Sequence, residues 1–593
     1  MADPFGRRDL AFPKLDAAQI ARLTPFGRAR SAAAGEVLFE QGEANRGVFV
    51  LIEGSIEIVN PMCDGETIVT VHEAGEFTGE LDVLSGRRSL VRGRAKVASR
   101  LLEIDRASLR RIVQTDAELS PIFLRAFLLR RTHLIAHTSG DVLLVGSSHS
   151  ADTLRLKGFL TRNGHPHAYI DVERDPGVQE LLDHFEIHLE DIPVLICRGQ
   201  RVLRNPSNAE AADCLGFNAP IDEAAVHDLI IVGAGPAGLA AAVYAASEGL
   251  DVLVLESNAP GGQAGSSSRI ENYLGFPTGI SGQDLAGRAF IQAEKFGAMV
   301  AIAQVATGLH CERRPFTVDC AGGSSVRGRA IVVATGAEYR KLPLPNLAQF
   351  EGTGIYYGAT QVEAQLCGGE EVVVVGGGNS AGQAAVFLSA HAKHVHMLVR
   401  AAGLADSMSR YLIRRIEDSP TITLRTHTQI EGLEGNGRLE RLTWRNARMN
   451  AAETRDIRHV FSMTGASPNT AWLRGCLLMD DKRFIKTGAD LRPEELTAAH
   501  WPLSRLPYLF ETSWPGVFAV GDVRASSVKR VASAVGEGSV AVQLIHRFLA
   551  ELPARGAIFG GPARRRWSRS GSPSPAGGCR TRARTPGRRS SRR

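Results

Sequence analysis

Three glycines in the middle of the chain have the spacing that lets a backbone hold a phosphate. Gly233, Gly235 and Gly238 follow the apolar run Asp228–Val232 and open the alanine-rich run Ala237–Ala246. The first glycine permits a tight turn, the second permits close approach of a pyrophosphate, and the third lets the helix pack on the strand. Phosphates would lie on the N–H groups at the helix start. The stretch therefore predicts a strand, a turn and a helix that bind a dinucleotide.

Two neighbouring residues complete this predicted site. Glu256 ends the strand Val252–Leu255, 18 residues after Gly238, where a carboxylate accepts hydrogen bonds from ribose hydroxyls. Pro236 lies between the second and third glycines, and we assign it to the same site. The alternative is a glycine turn in some other α/β protein. The flanking strand, helix and acid favour the dinucleotide.

A second glycine turn occurs about 140 residues later. Gly376, Gly378 and Ala381 follow the strand Glu371–Val375 in G-x-G-x-x-A spacing, and Asn379 begins the predicted helix. This pattern predicts a second nucleotide site.

The two turns differ in the residue that follows their second strand. Glu256 comes 23 positions after Gly233, whereas Val399 comes 23 positions after Gly376 and is followed by Arg400. No carboxylate would repel a 2′-phosphate there, so the second site favours NADPH, with NADH as the alternative. Arg400 could instead be a solvated residue at a strand end.

Composition indicates several domains in a reducing compartment. The chain has 593 residues, 44% of them hydrophobic, which is enough for several domains of ordinary size. Its eight cysteines include no pair separated by two residues, so we expect neither a disulfide framework nor a metal site, and a cytoplasmic location. The uncharged run Leu229–Ala246 has the length of a membrane span, but its glycines and proline are in the dinucleotide pattern, and no membrane association is expected.

The net charge of +6 comes from the end of the chain. Eleven of the 69 basic residues lie in Gly561–Arg593, which has no acidic residue, so the rest carries 58 basic and 63 acidic residues. Residues 550–593 are rich in Arg, Ser, Pro and Gly, and we expect them to be disordered. We interpret this tail as an out-of-frame extension, assign it no function and do not expect a nucleic-acid partner.

Residues 1–140 contain short β-like runs separated by glycines, which predict a β jelly roll with helices. The helical run Arg106–His137 is expected to break at Ser120-Pro121. The segment FTGELDVLSGRRS (77–89) resembles the phosphate cassette of cyclic-nucleotide-binding domains. The resemblance implies that Glu80 holds the ribose and Arg88 the cyclic phosphate, with Arg87 as substitute and Ser89 where some members have the Arg. Cyclic AMP is thus a candidate regulator; a surface ion pair is the alternative.

Residues 141–216 alternate predicted strands and helices in an order that resembles a thioredoxin or glutaredoxin fold, with Pro193 at the place of its cis-proline. The segment SSHSADT (147–153) stands where members carry Cys-x-x-Cys. His149 is a candidate functional residue there, and an exposed loop histidine is the alternative that we favour. We interpret this domain as redox-silent, with a docking or regulatory role. Residues 217–227 are a predicted linker.

Residues 228–549 resemble thioredoxin reductase and related flavoproteins. The resemblance rests on GGQ at 261–263, EN at 271–272, AIVVATG at 330–336 and GVFAVGDV at 516–523. It implies two Rossmann-like α/β domains, with an FAD-binding domain at 228–340 and 466–549 and an NAD(P)H-binding domain inserted at 341–465. It also implies bound FAD and NADPH, a homodimer, and further cofactor-binding residues, which are Gly262, Gln263, Asn272, Thr335, Gly336, Gly521 and Asp522.

One part of the family mechanism is absent from the sequence. In thioredoxin reductases a hydride passes from NADPH to FAD and then to a Cys-x-x-Cys disulfide, which lies shortly before the second glycine turn. Alignment on Ala359-Thr360 puts Gly358 and Gln361 at those two positions, and Cys367 has no local partner. A thiol relay needs a nucleophile and a resolving thiol. We therefore expect an oxidoreductase that lacks the disulfide relay and has an unknown acceptor.

Three interpretations follow from that absence. Reduced flavin passes electrons directly to a small acceptor or a one-electron partner, as in ferredoxin–NADP reductases. Alternatively, a disulfide substrate docks against the flavin itself. The third interpretation, from a different class, is a redox sensor that reports flavin or NAD(P) occupancy without efficient turnover.

Overall fold

The computed structural model describes residues 8–43, 47–62, 65–79, 82–137, 142–175, 178, 182–183, 185, 187–197, 201–473 and 475–552. Within these ranges no helix combines the length and apolar character needed to cross a bilayer. The uncharged run 229–246 forms a strand and a helix joined by the glycine turn.

The N-terminal unit is rich in β structure and has two antiparallel sheets. The first sheet has the order 28–32, 99–105, 47–53, and the second 37–39, 92–95, 55–62, 65–73. Its helices are Arg8–Ala11, Ala17–Leu23, Asp82–Ser85, Arg106–Thr115 and Leu119–His137, with a 3₁₀ turn at Thr24–Phe26.

The break in the long helix lies earlier than the sequence predicted. Helix Arg106–Thr115 ends before Asp116, whose side chain accepts the N–H groups of Glu118 and Leu119. Pro121 lies in the first turn of the next helix, where its missing N–H has no intrahelical role. The expected break at Ser120-Pro121 was therefore wrong, because the aspartate cap decides where the helix restarts.

The next unit is a four-stranded sheet in the order 201–204, 194–197, 142–146, 168–171. Strand 194–197 is antiparallel to both of its neighbours, and 142–146 is parallel to 168–171. Helices Ala151–Arg162 and Asn208–Leu215 and a 3₁₀ turn at Leu189–Asp191 accompany it, and the Ile192–Pro193 peptide is cis. Most of the predicted helix 177–185 lies outside the described residues.

A larger sheet follows, in the order 299–302, 252–256, 226–232, 325–333, 316–320, 306–310. The first four strands are parallel, and strand 517–519 joins them beside 325–333. Helices Pro236–Ser247, Gly262–Gly265, Gly282–Phe296 and Val531–Glu551 pack around it. Residues 227–232 are all buried, as expected of a parallel strand covered on both faces.

A second parallel sheet has the order 355–356, 459–462, 371–375, 394–398, 422–425. Its helices are Gln361–Leu366, Asn379–Leu388 and Arg410–Glu417, and an antiparallel sheet of strands 428–434, 441–446 and 451–455 packs nearby. Strands 337–339 and 466–468 pair with each other where the chain enters and leaves this region. The remaining short elements are helix Pro493–Ala498 and 3₁₀ turns at 347–349, 471–473, 488–490 and 521–523.

Candidate functional site

The first glycine turn, which we call the first cradle (residues 233–238), has two positions at which the backbone leaves no room for a side chain. Gly233 has a φ of +105°, and a Cβ on it would lie 2.4 Å from the Ala334 carbonyl oxygen. A Cβ on Gly238 would lie 1.9 Å from the Gly233 carbonyl oxygen. Real Cβ atoms do not come this close to backbone, so both positions require glycine for the turn to form.

Gly235 is needed for a different reason. It is the N-cap of helix Pro236–Ser247, its φ of −70° is accessible to any residue, and no atom lies within 4 Å of a Cβ built on it. Gly262, with a φ of +54°, lies close by, since its own Cβ would be 3.1 Å from the Cα of Gly235. Two bare backbone segments thus border open space at a positive helix end, which fits a pyrophosphate.

Glu256 lies beside this cradle and is 6% exposed. Its carboxylate accepts the N–H of Ala234 and the N–H of Asn258, each at 2.8 Å. Burial raises the pKa of Glu256, and these backbone hydrogen bonds act in the opposite direction. The Ala259 N–H also bonds to this carboxylate. Since a carboxylate can accept about four hydrogen bonds, it still has capacity for a ribose hydroxyl.

The late segment 521–522 packs directly against the first cradle. Gly521 has a φ of +74°, and its Cβ would lie 2.9 Å from that of Ala237 in the cradle helix. Its N–H donates to Glu537 at 2.7 Å. Burial raises the pKa of Asp522, while the neighbouring Lys529, which donates to the Asp522 carbonyl oxygen at 2.6 Å, favours the ionised form.

Four other residues were predicted for the FAD site. Gln263 and Asn272 are exposed, and Thr335 and Gly336 are half-buried at the end of strand 325–333. The Thr335 hydroxyl donates to the Asn469 carbonyl oxygen at 2.8 Å, and the Asn469 side chain donates back to the Thr335 carbonyl oxygen at 3.0 Å. This reciprocal pair ties together the two chain segments that connect the parallel sheets.

The second glycine turn, which we call the second cradle (residues 376–381), repeats the design. Gly376 has a φ of +144°, and its Cβ would lie 2.5 Å from the Met463 carbonyl oxygen. Gly378 is the N-cap of helix Asn379–Leu388, with a φ of −91°, and the nearest atom to its Cβ is the Ser407 carbonyl oxygen at 4.0 Å. Ala381 is fully buried under the turn. As in the first cradle, the second glycine borders open space.

Asn379 and Arg400, two predicted ligand-binding residues near the second cradle, differ in their surroundings. The Asn379 side-chain oxygen accepts the Ser409 N–H at 2.7 Å, which fixes the loop that follows strand 394–398. Val399 is buried and Arg400 is exposed at the end of strand 394–398. Arg400 is therefore accessible at the strand end that borders the cradle.

Tyr339 lies between the two cradles and was not predicted. Burial raises the pKa of this phenol, a hydrogen bond with Ser380 in the second cradle acts against that shift, and the charge of Asp522 adds to it. The Glu271 carboxylate also forms a 2.7 Å ion pair with Arg415 of helix Arg410–Glu417. Tyr339 and this ion pair therefore link residues of the two nucleotide-binding units.

The segment before the second cradle holds no thiol pair. Gly358 is half-buried with open space at its Cβ position, and Gln361 begins the helix Gln361–Leu366. Cys367 is 0% exposed, and burial raises the pKa of its thiol to about 11. At pH 7 only about one molecule in ten thousand would carry the thiolate.

The structure brings together one sulfur pair that the sequence did not reveal. Cys197 ends strand 194–197 and Cys214 lies in helix Asn208–Leu215, and their Sγ atoms are 2.9 Å apart. Both are almost fully buried. Their 17-residue separation matches no redox motif, so only the packing of the helix on the sheet discloses the pair.

The N-terminal unit holds a small cavity of about 40 Å³ inside its β structure. Ser89 and Arg130 line it, and Arg130 donates to the carbonyl oxygens of Phe77 and Gly79 at 2.9 and 2.8 Å. Arg88 is exposed, and its side chain packs against Gly216 instead. Glu80 lies outside the described residues, so the predicted cyclic-nucleotide contacts stay predictions.

Arg162 is a second residue that the sequence did not point to. It ends helix Ala151–Arg162, and its guanidinium donates to the Gly262 carbonyl oxygen at 2.9 Å. Burial lowers its pKa, and the charges of Glu256 and Glu363 act in the opposite direction. An arginine from another unit is therefore attached to the loop that borders the first cradle.

Comparison with known proteins agrees with this geometry. Residues 227–538 match the pyridine nucleotide-disulphide oxidoreductase family, and residues 29–116 match the cyclic nucleotide-binding domain. The chain therefore belongs to the pyridine nucleotide-disulphide oxidoreductases and carries a cyclic nucleotide-binding domain in front. This family uses FAD and NADPH, and the open backbone at Gly235 and Gly378 fits both.

Within that family the chain is similar to thioredoxin reductases. It is 30% identical to the thioredoxin reductase of Bacillus subtilis over 332 residues, which are 56% of this chain and 98% of the relative. It is 31% identical to the NADPH-dependent thioredoxin reductase 3 of Arabidopsis thaliana, covering 59% of this chain and 65% of that one. A solved structure of the Lactococcus lactis enzyme covers 55% of this chain and 100% of its own, with 26% identity and a TM-score of 0.49.

Proposed function

We propose that this oxidoreductase uses FAD and NADPH and delivers electrons from the flavin to an external acceptor without an internal disulfide. The observation that carries the proposal is the segment 358–367. Gly358 and Gln361 stand where the resemblance places the two cysteines, and Cys367 is buried with a thiol pKa of about 11. A relay thiol has to be accessible and readily ionised, and this one is neither.

The chain's own residues would bind and orient the two cofactors. The helix N-termini at Gly235 and Gly378 would hold the pyrophosphates, and Glu256 would accept the ribose hydroxyls of FAD. Asp522, with Lys529 beside it, would hold polar groups of the flavin chain. When bound, the flavin supplies hydride acceptance and electron release, chemistry that belongs to the cofactor.

We also propose that residues 141–216 form a thioredoxin-like docking module that does no thiol chemistry. Its helix Ala151–Arg162 covers the segment before the second cradle. Leu154 packs against the cluster that contains Tyr356, Ala359 and Cys367, and a Cβ on Gly352 would lie 2.8 Å from that of Ala151. The module thus contacts the segment 358–367 that lacks cysteines. Through Arg162 it also contacts the loop of residues 261–265 beside the first cradle, which we call the flavin loop.

Replacing Cys367 tests whether any thiol at this segment takes part. We expect Cys367→Ala to keep NADPH-dependent turnover within about twofold of the parent between pH 6 and 9, because a thiol of pKa about 11 is protonated throughout that range. Steady-state rates with ferricyanide as acceptor measure this. A pH-dependent loss of more than tenfold would assign the thiol a role.

Replacing Arg400 tests the preference for NADPH. We expect Arg400→Ala to raise the KM for NADPH about tenfold and to leave the KM for NADH within twofold, because an exposed guanidinium at this strand end would pair with the 2′-phosphate. Arg438→Ala, an exposed arginine in the turn between strands 428–434 and 441–446, at the other end of that antiparallel sheet, is the matched control. Equal changes for both nucleotides would remove the 2′-phosphate role.

An acceptor comparison tests the function as a whole. The purified yellow protein is supplied with NADPH and offered ferricyanide, a quinone, thioredoxin or an aromatic disulfide. We expect turnover with the first two and none above background with the disulfides. Brisk reduction of thioredoxin would contradict the proposal.

A further inference from the structure

A cavity of about 690 Å³ lies where three parts of the chain meet. Its walls come from helix Leu119–His137 of the N-terminal unit, from residues 162–164 of the thioredoxin-like module, and from helix Gly282–Phe296 of the large sheet. This volume is within the range of small-molecule sites.

Five arginines line this cavity, from all three parts of the chain. They are Arg87, Arg125, Arg131, Arg162 and Arg288. The two carboxylates in the lining are Asp284 and Glu294, and Glu294 lies within the electrostatic reach of two further arginines, Arg106 and Arg110. The cavity wall therefore carries an excess of positive charge.

Two of these arginines are more than nine-tenths buried and held in place. The Arg87 guanidinium lies between the rings of Phe217 and Phe290, 5.3 and 4.9 Å from their centroids. Arg131 donates to the Gly164 carbonyl oxygen at 2.9 Å. Guanidiniums that are held in place in this way are well suited to bind phosphate oxygens.

Part of the remaining lining is apolar, beside the polar side chains of Asn163, Ser281 and Gln283. Leu128 and Leu129 face the cavity from one helix, and Phe290 and Ile291 from another. A site that combines arginines with leucine and phenylalanine side chains fits a ligand with a charged end and a planar, less polar end.

We propose that this cavity binds a nucleoside diphosphate or a close relative, with its phosphates on the arginines and its base against Leu128, Leu129 and Phe290. No residue of either cradle lines this cavity, although Pro260 and Gly265, on either side of Gly262, do. It also differs from the cavity inside the N-terminal unit, which measures only about 40 Å³ and has Arg130 in its wall. Because Arg162 is also attached to the Gly262 carbonyl oxygen, a bound ligand would be connected to the flavin loop.

The test is calorimetric titration of the full-length, FAD-loaded protein with ADP, carried out on Gly378→Val so that ADP cannot enter the second cradle. In this background we expect one ADP per chain. Arg125→Ala with Arg288→Ala should weaken the binding at least tenfold, because both side chains are exposed and line the cavity without packing in a core. The matched control, Arg28→Ala with Arg100→Ala, removes two exposed arginines from the N-terminal sheets and should change the Kd by less than twofold.

Three results would overturn the proposal. The first is that ADP does not bind, and the second is that it binds equally well to the Arg125/Arg288 variant. The third is that inorganic phosphate binds as tightly as ADP, which would leave no role for the nucleoside. Cyclic AMP, which carries a single phosphate charge, should bind more weakly than ADP. Tighter binding of cyclic AMP that the double variant does not weaken would place the nucleotide inside the N-terminal unit instead. Because binding is measured directly, these results do not depend on turnover.

Discussion

Gly235→Val should yield a folded protein that contains almost no flavin. The position has φ −70° and no atom within 4 Å of a Cβ, so valine fits the polypeptide itself without strain. Its branched side chain would nevertheless fill the space next to Gly262 in which a pyrophosphate has to lie. We expect flavin affinity to fall at least a hundredfold, which is about 2.7 kcal/mol or more. Flavin absorbance per chain, before and after incubation with excess FAD, measures this.

Gly378→Val is the matched control for flavin content, because Gly378 is likewise a helix N-cap with an ordinary φ and open space at its Cβ. It should stay yellow. The circular dichroism of Gly235→Val should match that of the flavin-free parent protein. A yellow, fully loaded Gly235→Val would remove the first cradle as the flavin site.

Gly378→Val should have the complementary effect and keep its flavin. Gly378 has φ −91°, and its Cβ would have only the Ser407 carbonyl oxygen, at 4.0 Å, nearby. Valine would block the second cradle and leave the first unchanged. We expect the rate of flavin reduction by NADPH to fall at least a hundredfold, while dithionite still reduces the flavin fully. Rapid mixing under anaerobic conditions measures the first rate, and static titration the second.

The pair of variants separates the two sites more clearly than either does alone. If Gly378→Val is reduced by NADPH at the parental rate, the second cradle does not hold the nicotinamide nucleotide. If instead it loses flavin, the two cradles have been assigned in the wrong order. Substitution of Gly233 or Gly238 would be less informative, because a Cβ there collides with backbone and breaks the turn itself.

The local parts of the site could be predicted from sequence, because short-range sterics determine them. The strand, turn and helix around Gly233–Gly238 depend on which residues tolerate a positive φ or a close carbonyl oxygen. The structure has a strand at 226–232 and a helix at 236–247, close to the predicted bounds. The same holds for the second cradle, whose Gly376 has a φ of +144°.

Contacts between distant segments could not be read from the sequence. Arg162 and Gly262 are 100 positions apart, and nothing in either segment indicates that their atoms hydrogen-bond. Arg87 was considered only as a substitute phosphate ligand, yet its guanidinium lies between Phe217 and Phe290 of other parts of the chain. Cys197 and Cys214 likewise meet only because helix Asn208–Leu215 packs on its sheet. In each case the packing of whole units brings the two residues together, and no local pattern in a single sequence indicates that packing.

The two N-terminal units contact elements that hold the cradles. Helix Ala151–Arg162 contacts the segment before the second cradle and the flavin loop, and residue Gln114 of the N-terminal unit donates to the Lys295 carbonyl oxygen of helix Gly282–Phe296 at 2.9 Å. Both N-terminal units are thus in contact with the elements that hold the cradles.

Anaerobic stopped-flow mixing of the yellow protein with NADPH, combined with a thiol count after denaturation, tests the central claim most directly. That claim is that two cradles hold a flavin and a nicotinamide nucleotide that react with no protein disulfide between them and the acceptor. We expect the oxidised flavin band to bleach within seconds and the number of titratable thiols to stay the same. Absence of bleaching over minutes would indicate a sensor rather than an enzyme. A gain of two thiols per chain would show that the electrons reach a protein disulfide, and Cys197 and Cys214, 2.9 Å apart, would be the first pair to replace.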